Sequence, residues 1–135
     1  MFSLAEKIFC NYYRDASETD FLLLIFILNH LREQIVDGEK FCDINKIAPN
    51  DRSKEQLLFC DIWDLPEFKI INEICNGAKH HKIENNVMQL KGLRCGIGRC
   101  GDRFDQKYIL IDGTDSRIIF SAVIIQYRNY FNKKR

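Results

Sequence analysis

The sequence predicts a mainly α fold, a helical bundle of about four to five helices with a small β-hairpin, residues about 86–112, before a C-terminal helix. Three observations predict it. Apolar residues recur at spacings of three and four along most of the chain. Helix-starting and helix-stopping residues bracket those stretches. Past residue 86 the chain changes to short β-prone runs separated by glycines and an Asp-Gly pair.

Phe2, Leu4, Ile8, Phe9, Tyr12 and Tyr13 make one stripe of a first helix that should end at Asp15-Ala16-Ser17. Ser17 followed by Asp20, or Thr19 as the cap itself, opens a second helix running to about Val36, apolar nearly all round between Phe21 and Leu28. Asp37-Gly38 closes it, and Glu39 to Arg52 reads as a long connection with one turn of helix. Ser53 with Gln56 three residues on is a capping box, so a third helix starts there and carries Leu57, Leu58, Ile62 and Trp63 inward. Pro66 has no amide donor and suits a first helical position, so it begins a fourth helix, through Phe68, Ile70, Ile71, Ile74 and Cys75 to about Lys79–His81. Val87–Leu90 and Tyr108–Ile111 read as strands joined by the segment Gly92–Gly101, with Asp112-Gly113 as a turn. Ile119, Val123, Tyr127 and Tyr130 align a last helix over about 117–131, with Ile118-Ile119-Phe120 as an alternative strand start.

The chain of 135 residues has the size of one domain, and its charges divide unevenly. Up to Pro66 there are 7 basic and 12 acidic residues, and beyond it 13 basic and 7 acidic. A polyanion such as RNA, or an acidic protein surface, is therefore an expected partner for the second half. The longest apolar run, Phe21–Leu28, has eight residues against the roughly 20 needed to cross a bilayer, so no membrane partner is expected. Without a signal-peptide pattern, and with most of its six cysteines among apolar neighbours, the chain reads as cytoplasmic with reduced thiols. The apolar second helix also predicts a homodimer, because one small bundle can hardly cover so many large side chains.

The densest polar cluster is Glu73 to Lys82. On a helix, Asn76 and His80 share a face with Glu73 a turn back and Lys79 beside them. An imidazole that titrates near neutrality, an orienting amide and an ammonium are the equipment of metal-independent RNA cleavage. The competing reading is structural: Asn76 caps backbone, and His80 and His81 are solvated at a helix end whose dipole favours them.

The run Asn76-Gly77-Ala78-Lys79-His80, set between a bundle and a glycine-containing hairpin, resembles small bacterial and phage proteins related to the HEPN superfamily. The resemblance spans about residues 20–131. It implies a helical, usually homodimeric domain acting as a ribonuclease or RNA-binding part of a toxin–antitoxin or antiviral system. It also implies catalytic roles for His80 and Asn76. Active members place an Arg four to six residues before the His. Here position 75 is Cys, and no Arg lies between Arg52 and Arg94. Lys79 would have to supply that charge, without the bidentate grip of a guanidinium.

A second cluster runs from Arg94 to Arg103, with glycines at 96, 98 and 101. It fits neither a Walker loop nor a dinucleotide fingerprint, and reads as a basic hairpin loop. Lys82, Lys91, Arg94, Arg99 and Arg103 are the candidate nucleic-acid contacts, with Tyr108 or Phe104 as stacking platforms. Cys75, Cys95 and Cys100 with His80 or His81 lack the second tight pair of a structural zinc site, so neither metal nor cofactor is expected. His30 reads as a partly buried structural histidine. The function expected is HEPN-like RNA binding in a defence or phage–host conflict system, with weak ribonuclease activity open. The alternative is a noncatalytic interaction protein, such as a phage or mobile-element inhibitor of a host defence complex.

Overall fold

The computed structural model describes residues 1–80, 82–92 and 96–133, the last without its side chain. The elements in chain order are α1 (Phe2–Arg14), α2 (Glu18–Ile35), α3 (Phe41–Ile44), a 3-10 turn at Pro49–Asp51, α4 (Lys54–Asp64), α5 (Pro66–Lys79), β1 (Val87–Lys91), β2 (Lys107–Ile111), β3 (Thr114–Asp115) and α6 (Ser116–Lys133). The fold is mainly helical, with a small antiparallel sheet before the C-terminal helix, as the periodicity predicts.

Local chemistry explains most boundaries. Ser17 Oγ accepts the Asp20 amide at 3.0 Å and starts α2. Ser53 and Gln56 form the reciprocal capping box that opens α4, with bonds of 3.0 and 3.1 Å. Pro66 occupies the first turn of α5, where its missing donor costs nothing. The long 39–52 connection holds the four-residue α3 and the 3-10 turn rather than one turn alone.

α2 lies at the centre of the bundle and touches α1, α4, α5 and α6. Phe21, Leu24, Ile25 and Leu28 from its apolar run are buried in the main core with Phe68, Ile71, Phe120 and Val123. Leu22 and Leu23 remain exposed at 39% and 42%. A smaller cluster of Val36, Ile44, Phe59 and Cys60 underlies the α3 connection. α1 and α6 are tied together: Tyr12 Oη and Ser116 Oγ lie 2.6 Å apart, and the Phe2 and Phe131 rings stack at 4.9 Å.

The sheet order is β1-β2-β3, with Val87 opposite Ile111, Gln89 opposite Ile109 and Lys91 opposite Lys107. Asp112 and Gly113, at φ 49° and 82°, form the two-residue turn to β3, a strand that the run of residues beyond Asp112-Gly113 does not reveal. Ile118-Ile119-Phe120 is helical, not extended. The Asn86 and Gly92 main chains bond Asp112 and Gln106 at 2.9 Å on either side of β1. Alternation therefore turns the backbone groups of Met88 and Leu90 toward β2 and those of Val87, Gln89 and Lys91 toward the open edge.

Candidate functional site

Asn76 on the last turn of α5 and His80, the residue that ends that helix, line one open cleft of about 490 Å³ with Glu73, Lys82, Glu84 and Asp112. The cleft exists because the chain folds back tightly after α5. Lys82 donates its amide to the Gly77 carbonyl at 2.8 Å, and a Cβ on Gly77 would stand 2.6 Å from the Lys82 carbonyl oxygen. Only glycine fits there. Asp112 forms the far wall and accepts the Asn86 amide at 2.8 Å and the Asn85 amide side chain at 3.0 Å. Those two hydrogen bonds hold its carboxyl below the usual carboxylate range.

The charge of this cleft differs from the cationic lining that RNA cleavage would use. Three carboxylates, Glu73, Glu84 and Asp112, line it against one ammonium, Lys82. Lys82 is itself paired with Glu84 at 3.0 Å. Lys79 is exposed on the same helical turn but does not line the cleft. The wall therefore repels a phosphate and favours a cationic ligand.

The other candidate contacts stand apart. Of the candidate nucleic-acid contacts only Lys82 lines the cleft; Lys91, Arg99 and Arg103 do not. Arg99 donates to Tyr13 Oη at 3.2 Å and sits 4.0 Å from Asp115, and Arg103 lies 3.6 Å from Asp105. Lys91 is exposed on β1 opposite Lys107. Arg94, Cys95 and His81 lie outside the described residues. Of the two stacking candidates, Phe104 is 88% exposed, whereas Tyr108 is buried and donates to Asp102 at 3.2 Å. Tyr108 is thus a structural residue, removed from solvent.

Beneath the hairpin loop lies a polar centre that the sequence reading missed. Arg117, 1% exposed, donates to both oxygens of Asp102 at 3.0 and 3.2 Å and to Asp115 at 2.8 and 2.9 Å. Asp115 also caps α6 by accepting the Arg117 amide at 2.9 Å. Tyr108 and Tyr13 place their rings 4.8 and 5.0 Å from the guanidinium. Burial alone would raise the Asp102 carboxyl, but the bonds from Arg117, the Arg99 amide and Tyr108 leave it below the usual range. Burial likewise opposes the Arg117 charge, and the two carboxylates more than offset it. The detectable signal is Arg117 itself, a cation in the first turn of a helix, where the dipole disfavours it.

A second buried guanidinium, Arg32, is packed against the Phe59, Trp63 and Phe68 rings at 4.4, 4.3 and 5.1 Å. Its Nε and Nη1 have no hydrogen-bond partner among the described residues, and burial draws it below the ordinary arginine range. Cys75 is buried, which raises its thiol, with the nearby Lys79 acting against the rise. Cys100 is exposed, and no group of three potential metal ligands occurs among the described residues. His30 is about half exposed, 3.4 Å from Glu33, and lines a different cavity from His80. No described helix is long and apolar enough to cross a membrane.

Comparison with protein-family models, curated proteins and solved structures finds no match to this chain.

Proposed function

We propose that the protein is a noncatalytic protein-interaction module, in the phage–host conflict setting that the HEPN-like resemblance implies. The observation that carries this reading is the apolar surface left uncovered by the bundle. Leu22 on α2, Ile83, and Val87 on β1 are between 37% and 44% exposed and line one groove. Exposed apolar groups brought near one another are what a protein partner covers. The pairing of Lys82 with Glu84 and of Arg103 with Asp105, together with the acidic cleft wall, weakens the case for a polyanion.

A second reading keeps the RNA-binding function, because Asn76 and His80 do share an open cleft. Fluorescence anisotropy with a labelled single-stranded RNA at low ionic strength separates the two. The interaction reading predicts no saturable binding. Binding that weakens steeply with salt, and is lost in His80→Ala and Asn76→Ala, would establish the RNA reading instead. Hydrolysis of that RNA by the wild-type protein and not by His80→Ala would make it a nuclease.

A further inference from the structure

β1 is an edge strand with its outer side open. By the alternation of the β1–β2 ladder, the N–H and C=O groups of Val87 and Gln89 point away from β2. Neither residue has a backbone hydrogen-bond partner on that side among the described residues. Natural edge strands are commonly blunted by charge, proline or a bulge. Val87-Met88-Gln89-Leu90 has none of these, and its first charge is Lys91 at the end.

Beside this edge runs an apolar groove. Phe21 and Leu22 of α2, Ile83, Val87 and Ile109 line it, with Gln89 at one side. Its volume is about 190 Å³, below the roughly 300–1,000 Å³ of small-molecule sites, so it suits a few side chains better than a metabolite. Among the described residues, the only ionisable side chain lining it is Glu18, which is exposed and has no ion-pair partner there.

From the free edge and the groove together we infer that β1 receives an extended peptide of another protein as an added strand. The main chain of that peptide bonds the outward groups of Val87 and Gln89. One of its apolar side chains enters the groove against Leu22 and Ile83, and a neighbouring Lys or Arg meets Glu18. A helix or a nucleic acid would leave the outward peptide groups of β1 unmatched. A strand matches them and, through its two-residue alternation, delivers side chains onto the groove face.

This inference rests on the interaction reading, and one experiment can separate their failures. The full-length protein is used to select from a library of random linear peptides displayed on phage, and the enriched peptides are then measured in solution. The expected motif pairs an apolar residue with a nearby Lys or Arg. Binding is expected to slow amide hydrogen exchange at Val87 and Gln89. Val87→Pro removes one outward N–H and leaves the ladder to β2 intact, so affinity should fall by about tenfold. Ile83→Glu should weaken binding comparably, and Glu18→Lys should abolish the preference for a basic residue. Should Val87→Pro lower the melting temperature, those two variants carry the test. Tight peptide binding that ignores all three substitutions and protects other amides would overturn strand addition while leaving the interaction reading in place. Failure to enrich any peptide, with RNA binding instead, would remove both. A dimer in light scattering that Val87→Pro converts to monomer would show the edge occupied by a second copy, and would equally overturn the peptide as occupant.

Discussion

Arg117 grips Asp102 through a two-point fork, Nη1 to Oδ1 at 3.0 Å and Nη2 to Oδ2 at 3.2 Å, joining the start of α6 to the hairpin loop 15 residues earlier. Removing the guanidinium would leave two largely buried carboxylates without their cation. Arg117→Met should therefore cost about 3–5 kcal/mol of stability, measured as a lowered urea midpoint. A variant with the wild-type midpoint would mean that the ion cluster contributes little.

The same cluster makes stability depend on acid. Asp102 has a depressed pKa in the folded protein, so its contribution is present above the unfolded carboxylate value of about 3.9 and is lost as pH falls through the lower folded value. Urea midpoints followed from neutral into acid pH should decline in that window. Asp102→Asn should begin less stable at neutral pH and decline less.

Arg32 predicts the opposite response to the same kind of change. Its charge is surrounded by aromatic rings, and its Nε and Nη1 lack hydrogen-bond partners among the described residues. Arg32→Met keeps the volume and removes the desolvated charge, so the urea midpoint should stay level or rise. A marked drop would reveal that stacking of the guanidinium on Trp63 and Phe59 outweighs its burial.

Gly77→Ala should destabilise by about 1–3 kcal/mol, because the new methyl meets the Lys82 carbonyl oxygen at 2.6 Å and the returning chain must move. Thermal melting checks the loss. Hydrogen exchange at Lys82, whose amide bonds Gly77, should accelerate more than exchange in α2.

The cysteines among the described residues should divide into two groups under native alkylation followed by mass spectrometry. Cys10, Cys42 and Cys100 are exposed and should react readily; Cys60 and Cys75 are buried and should react only on unfolding. Rapid labelling of Cys75 would contradict its raised thiol pKa and its place in the core.

The helices were legible in the sequence because their determinants are local. Ser17, the Ser53–Gln56 box and Pro66 each act within one helical turn, and each begins a helix in the structure. The Asn76–His80 face was legible for the same reason, since a spacing of four on a helix brings both to one cleft. The sign of that cleft was not, because Asp112 reaches it from a turn more than thirty residues on. Nor could spacing reveal that Arg103 faces Asp105, or that Arg117 rather than the loop arginines anchors the hairpin. Tyr108 and Phe104 were indistinguishable as stacking candidates until the fold buried one and exposed the other.

The bond between Tyr12 and Ser116 spans 104 positions, and it constrains how the protein is made. During synthesis from the N-terminus, the inward face of α1 emerges from the ribosome long before α6 can cover it. Tyr12, solvent-free in the folded protein, packs on Phe21 of α2 and on Phe120 of α6, and the second of these arrives only after the intervening helices and sheet. Until α6 emerges, the nascent chain presents part of this aromatic face to solvent, and production should respond to chaperone supply.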